Sequence, residues 1–225
     1  MKTPIISTLA AAIAASTIFA APVVQADGNH GMRHYAITIT NLTRGQIIAP
    51  PAVVAHNEDY SMFTLGSPAS LELAQLAEAG NGPLVLSAAS VLPSVYATAI
   101  GSGGILPGAS QTIEIATTER FSEISVGAML ASSNDGFMAV SGVKAPRRGE
   151  VTVEAVGYDA GSEANSDSCA FIPGPPCGDT SHNPAASEGY VHVHAGMHGM
   201  SVGAYNPSQL DWRNPVAQIQ IKRMD

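Results

Sequence analysis

Short apolar segments separated by turn residues predict an all-β protein, an antiparallel β-sandwich with one or two short helices in its connecting loops. Three observations support this: the segments alternate with a period of two, Gly, Pro, Asn or Asp stands between most of them, and 225 residues suit one domain plus a leader. A series of about seven short strands is typical of a sandwich.

The first strand is predicted over 34–41, where Tyr35, Ile37 and Ile39 alternate with small or polar residues. The same pattern predicts further strands at 111–117, 123–131, 137–143, 150–158, 190–194 and 216–222.

One helix is predicted after the first strand. Ser67 is the expected N-cap, Pro68 fits the first helical position, Leu73 and Leu76 share a face, and Gly80 can end the helix. Its position predicts a lid or a cover over one edge of the sheet.

The amino terminus has the composition of a secretory signal peptide. Lys2 provides the positive start, 5–21 is uncharged and apolar, and Val24-Gln25-Ala26 resembles a cleavage site. The protein is therefore expected to be secreted or periplasmic. The predicted organisation is a cleaved signal peptide over 1–26, a flexible mature N-terminus over 27–33 and the sandwich domain over 34–225.

The acidic net charge disfavours two classes of binding partner. Loss of residues 1–26 removes Lys2 and no acid, so the formal charge changes from −8 to −9 over the remaining 199 residues. No cationic run is longer than Arg147-Arg148, which disfavours nucleic acid and anionic membranes because both require clustered Lys and Arg. No later segment is predicted to span a membrane.

Two cysteines, Cys169 and Cys177, flank a loop rich in Pro and Gly. In an oxidising compartment they are expected to form one local disulfide that braces this loop.

Two acidic loops stand out in a chain in which only 12% of residues are charged: Asn134-Asp135-Gly136-Phe137 and 158–163. Carboxylates from two loops at one end of a sheet can surround a hard cation such as Ca²⁺. Gly161 would let the second loop fold back on itself. The alternative for the first loop is an ordinary hairpin turn, because Asn-Asp-Gly supplies the left-handed residues that such turns use.

Five motifs in order resemble the spondin amino-terminal domain, above all its bacterial stand-alone members. They are Asn41-Leu42-Thr43, Ser67-Pro68-Ala69, 133–137, 158–163 and 211–217. The resemblance covers about 35–223 and implies a calcium-binding antiparallel sandwich that acts in adhesion or ligand recognition and not in catalysis.

Carried over by position, the resemblance assigns Ca²⁺ to Asp135, Asp159 and Glu163, the last replacing a more common aspartate. The implied partner is an extracellular or periplasmic protein or glycan.

Histidines offer a rival interpretation. His192 and His194 project from one strand face and His198 follows, so the three could bind zinc, or copper if Met197 and Met200 contribute. The alternative is a polar strand face without a metal.

A secreted hydrolase is the third interpretation. Ser141-Gly142-Val143-Lys144 matches the Ser-x-x-Lys pattern of penicillin-interacting enzymes, but the partner motifs are missing from the sequence. Near the C-terminus, Trp212 is expected to pack over one end of the sandwich while Asp211 and Arg213 pair. The alternative is that Asp211 contributes to the acidic end.

Overall fold

The computed structural model describes residues 31–197, 199 and 206–224, and confirms an all-β fold with few helices. The strands are β1 Arg33–Asn41, β2 Ala52–His56, β3 Val95–Ile100, β4 Ser110–Thr117, β5 Glu123–Met129, β6 Gly136–Lys144, β7 Glu150–Asp159, β8 His192–Val193 and β9 Ala217–Arg223. The helices are α1 Leu71–Ala79, α2 Gly82–Ser90 and the single turn α3 Pro207–Leu210, with a 3₁₀ turn at Cys169–Phe171.

The strands form one continuous antiparallel sheet in the order β3-β2-β5-β6-β7-β9-β1-β4, and β8 pairs with β7. Strand β7 connects the two halves of this sheet. Its residues 150–155 pair with β9, whereas its residues 156–159 pair with β6. The two halves thus share β7.

The main core contains inward-facing residues from both halves of the sheet, including Tyr35, Ile37 and Ile39 of β1. These side chains have no exposed surface. Full burial of one such side chain contributes about 1.5–3 kcal/mol. A second apolar cluster lies on the other face of β2 and β6, where Leu73 and Leu76 of α1 cover it.

Helix α1 begins one turn later than predicted. Its N-cap is Ser70, whose hydroxyl accepts a hydrogen bond from the Leu73 N–H at 3.2 Å. Ser67 cannot cap the helix because its neighbourhood pairs with Val191: the Gly66 N–H donates to the Val191 carbonyl, and the Val191 N–H donates to the Ser67 carbonyl. Gly80 ends the helix in the left-handed conformation, as predicted.

Two strands and two helices were not predicted from the sequence pattern. All five residues of β2 are buried, because one face of β2 lies in the main core and the other lies under the helices. A strand covered on both faces loses its alternation. Strand β3 and helices α2 and α3 were likewise not predicted. The strand predicted over 190–194 is reduced to His192–Val193.

Within the described residues, no helix is long and apolar enough to cross a bilayer. The predicted signal peptide lies outside the described residues.

Candidate metal site

The two acidic loops meet at one end of the sheet. Strand β6 begins at Gly136 and β7 ends at Asp159, and these two residues are directly paired. Asp135 therefore lies beside the end of β7, and its carbonyl accepts a hydrogen bond from the Ala160 N–H at 3.1 Å.

Asp135 is a buried carboxylate with one satisfied and one unsatisfied oxygen. Its Oδ2 accepts hydrogen bonds from the backbone N–H groups of Ser162 at 2.7 Å and Glu163 at 3.0 Å. Its Oδ1 is buried and has no hydrogen-bond partner among the described residues. Burial, followed by the charge of Asp159, raises the pKa of Asp135 to about 7. No cation among the described residues offsets the charge of the ionised Asp135.

Asp159 is held rigidly by its own loop. Its Oδ1 accepts from the Gly161 N–H at 2.7 Å, and its Oδ2 accepts from the Asn165 side-chain amide at 2.7 Å. Gly161 has φ of 65°, and a Cβ there would lie 2.3 Å from the Tyr190 carbonyl oxygen. Only glycine fits this turn, which supports the prediction that the loop folds back at Gly161.

The backbone N–H of Glu163 donates to Asp135, but the Glu163 side chain has different partners. Its Oε1 accepts from the Asn183 N–H at 2.6 Å and lies 3.0 Å from His182 Nδ1. His182 Nδ1 is also 2.9 Å from Glu78 Oε2. Burial is the largest cause that raises the pKa of Glu163, and the nearby Glu78 adds to it.

Within the described residues, two sets of three side chains bring one ligand atom each to within 4.8 Å of one another. One set is Glu78, Glu163 and His182, and the other is Asp159, Glu188 and His192. Asp135, Asp159 and Glu163 thus lie at the same end of the sheet, but Asp159 and Glu163 belong to different sets. Asp135 belongs to neither set.

The predicted histidines differ in what they can bind. The Gly196 N–H donates to His194 Nδ1, so in the neutral ring the hydrogen is on Nε2, 3.9 Å from Asp159 Oδ2. That nitrogen is unsuited to a metal. His192 Nδ1 lies 3.0 Å from the Val193 carbonyl and must donate to it, which leaves a lone pair on Nε2, 3.6 Å from Asp159 Oδ1. His198 lies outside the described residues.

The first acidic loop is not a left-handed hairpin turn. None of Asn134, Asp135 and Gly136 has a positive φ. Instead the Ser133 hydroxyl closes the loop, because it donates to the Leu130 carbonyl at 2.6 Å and accepts from the Gly136 N–H at 3.0 Å.

The disulfide-braced loop supports the first acidic loop. Cys169 and Cys177 form the predicted disulfide. Between them, the Gly174 N–H donates to the Ala131 carbonyl at 2.7 Å, and the Pro175 carbonyl accepts from the Ser132 hydroxyl at 2.6 Å. The bridge thus helps to fix the turn that presents Asp135.

Removal of the disulfide is expected to lower the free energy of unfolding by about 2 kcal/mol, since a bridge over a sequence separation of 8 residues restricts the unfolded chain modestly. Thermal denaturation of the double variant Cys169→Ser/Cys177→Ser measures this effect. The wild-type protein under reducing conditions is the control and should lose a similar amount. A variant as stable as the oxidised wild type would contradict the expectation.

The closing segment has the expected packing. Trp212 is buried against the His194 ring with centroids 4.6 Å apart, and Arg213 Nη1 lies 2.6 Å from Asp211 Oδ2. Asp211 Oδ1 accepts from the Met197 N–H at 3.0 Å. Asp211 thus fixes the segment after His194 and pairs with Arg213.

One Ser–His contact bears on the hydrolase interpretation. His56 Nε2 lies 2.7 Å from Ser125 Oγ, and Glu123 Oε2 lies 3.9 Å from His56 Nδ1. Both Ser125 and His56 have no exposed surface, and the Ser125 hydroxyl also accepts from the Gly142 N–H. Burial lowers the pKa of His56, which keeps the ring neutral. The pair resembles part of a catalytic triad, but both of its side chains are buried.

Sequence reasoning missed the outer residues of the cluster: Glu78, Asn165, His182 and Glu188. They come from α1 and from 165–188, where no strand or helix periodicity indicates which side chains face the acidic loops. Asn165 connects Asp159 with Glu188, because its side-chain amide donates to Asp159 Oδ2 and to Glu188 Oε1.

No protein-family model matches this chain, and no curated protein matches it. The spondin resemblance therefore stays a prediction.

Proposed function

We propose that this protein is an exported, non-catalytic β-module that binds calcium at the end of its sheet, and that the ion fixes the loops with which the module recognises a partner. The observation that supports this most directly is Asp135. Asp135 is fully buried, one of its oxygens has no hydrogen-bond partner among the described residues, and a second carboxylate is close by, so its ionised form is costly unless a cation is bound.

The donor set suits a hard cation. Asp135 Oδ1 has no hydrogen-bond partner among the residues that the structure describes, and Asp159 supplies a second carboxylate in the adjoining loop. Asn134 Oδ1 is another buried oxygen without a hydrogen-bond partner in the described part of the chain. Calcium takes six to eight oxygen ligands in flexible geometry. The chemistry that the ion would supply here is charge neutralisation.

Exposed apolar residues next to this end support a recognition role. Tyr190 and Val193 flank His192, and 46% and 52% of their surface is exposed. The Tyr190 backbone packs on Gly161, so the position of this surface depends on the acidic loop. An ion that orders the loop would therefore also order the surface.

Calcium titration of chelator-treated protein tests the proposal. We expect calorimetry to show saturable binding and thermal denaturation to show a rise in the melting temperature. Asp159→Asn should abolish both effects. Glu114→Gln is the matched control, because Glu114 is an exposed carboxylate on β4, far from the cluster, and this variant should behave as wild type. If wild-type protein shows neither binding nor a shift, the proposal is wrong.

A second candidate is a transition-metal site at Asp159, Glu188 and His192. It is favoured by the His192 ring, whose Nδ1 donates to a carbonyl while its Nε2 is buried without a hydrogen-bond partner within the described residues. A neutral imidazole held in this way is the usual arrangement of a zinc ligand.

Zinc titration separates the two candidates. His192→Gln should weaken zinc binding at least tenfold and leave calcium binding unchanged, since calcium prefers oxygen ligands. His182→Gln is the control, because His182 belongs to the other set. Loss of zinc binding in His182→Gln alone would move the zinc site to Glu78 and Glu163.

A further inference from the structure

The end of the sheet away from the acidic loops gathers most of the cations of the chain. We call the end of the sheet that carries the acidic loops the metal end. Strand β6 runs from the metal end to Lys144, and β7 begins at Glu150, so the opposite end of these strands is roughly 30 Å from the metal end. Seven of the ten Lys and Arg residues lie there: Arg33, Arg120, Lys144, Arg147, Arg148, Lys222 and Arg223. We call these seven residues the basic end.

Three arginines among these seven cations make no salt bridge with a described residue. Arg33 pairs with Glu119 at 2.7 Å and Lys144 pairs with Glu123 at 2.6 Å. In contrast, the exposed side chains of Arg120, Arg147 and Arg148 make no salt bridge with any described residue. A chain with a formal charge of −8 therefore keeps unpaired arginines together at one end.

The basic end is concave. A cleft of about 320 Å³ is lined by Arg33, Glu119, Ser122, Lys144, Ala145 and Arg147. Guanidinium groups bind sulfate, phosphate and carboxylate oxygens through paired N–H donors. Three cations thus line the cleft, and one of them, Arg147, makes no salt bridge with a described residue.

An aromatic surface adjoins the cleft. Tyr96 stacks on Phe121 with ring centroids 5.7 Å apart, and the Arg120 guanidinium lies 5.2 Å from the Phe121 ring centre. Of the Tyr96 surface, 38% is exposed. A flat ring beside unpaired cations matches a sugar ring that carries an acidic group, because the ring packs on the apolar sugar face while the cations bind the acid.

We propose that the basic end binds an acidic polysaccharide, a chain of sugars bearing sulfate or carboxylate groups. This interaction is independent of the metal site, because its residues lie at the other end of the strands. The acidic metal end would be repelled by the same polyanion, which orients the module so that its recognition loops face away from the polysaccharide.

Binding of the full chain to dextran sulfate, with neutral dextran as the uncharged reference, tests this inference. We expect saturable binding to dextran sulfate that weakens steeply with salt, and none to neutral dextran. Arg147→Ser/Arg148→Ser should reduce affinity at least tenfold and flatten the salt dependence. Both results should be the same with calcium and with chelator, so that failure of the calcium proposal would leave them unchanged.

Arg44→Ser and Arg148→Ser form the matched pair of single variants. Both side chains are exposed arginines without a salt bridge in the described part of the chain, but only Arg148 is at the basic end. The inference requires that Arg148→Ser weakens binding more than Arg44→Ser. Equal losses would show that only net charge matters, and stronger binding to duplex DNA or to anionic phospholipid vesicles would assign the surface to another partner. Either result would overturn the proposal.

Discussion

Replacing Asp135 with asparagine is expected to stabilise the metal-free protein near neutral pH and to abolish the stabilisation that calcium gives. Asparagine keeps a carbonyl oxygen that can accept from the Ser162 and Glu163 N–H groups. Its amide nitrogen would replace the unpartnered Oδ1, and the charge that opposes Asp159 disappears.

The two effects have opposite signs because they arise from the same buried charge. Without metal, an ionised Asp135 is penalised, and its removal should raise the free energy of unfolding by about 4 kcal/mol at pH 7 and above. With metal, that charge is a ligand. Wild-type protein at about 100 times its calcium dissociation constant should gain about 3 kcal/mol, and the variant should gain almost nothing.

Chemical denaturation of both proteins, with calcium and with chelator, measures all four values. Glu114→Gln controls for the loss of one negative charge from an acidic protein, and it should leave the calcium effect intact. A variant that is destabilised in chelator would show that Asp135 acts mainly as a cap for the second loop. A variant that retains the calcium effect would exclude Asp135 as a ligand.

The strands that could be predicted are those covered on one face. Strand β1 alternates buried and partly exposed residues, so its sequence has a period of two. Strand β2 is buried on both faces and shows only a run of apolar residues, which does not distinguish a strand from a helix. The start of α1 was misplaced because the pairing of Val191 with residues 66 and 67 is a contact between distant parts of the chain.

The candidate site was predictable at its centre and not at its edge. Asp135 and Asp159 belong to loops next to recognisable strands, so topology brings them together. Glu163 was placed near them, but the direction of its side chain depends on Asn183 and His182, twenty residues away. The basic end was not predicted, since its cations come from separate strands and loops and form no run longer than two residues in the sequence.

The stability of the metal-free protein is expected to decrease as the pH rises from about 4 to about 7. The pKa of Asp135 is about 7 in the folded protein and 3.8 in the reference state, so the folded state binds a proton that the unfolded state has lost. Under that condition, the free energy of unfolding decreases as pH rises, by about 1.4 kcal/mol per pH unit at most. The total expected decrease is about 4 kcal/mol, and it is complete above about pH 7.

Other groups must be separated from this effect. The raised pKa of Glu163 acts in the same direction. The lowered pKa of His56 acts in the opposite direction below the ordinary value of 6.5, where the unfolded state takes up a proton that the buried ring resists. The lowered pKa of Asp211 matters only below about pH 4, because both of its states are ionised above that value.

Subtracting the pH profile of Asp135→Asn from that of the wild type isolates Asp135 together with its coupling to Asp159 and Glu163, because His56 and Asp211 are present in both proteins. The difference should be small near pH 4 and reach its full size above about pH 7. Saturating calcium should remove the decline in wild-type protein, since the metal binds the ionised carboxylate. A flat difference profile would mean that Asp135 is ionised throughout, and that its buried oxygen is compensated without a bound cation.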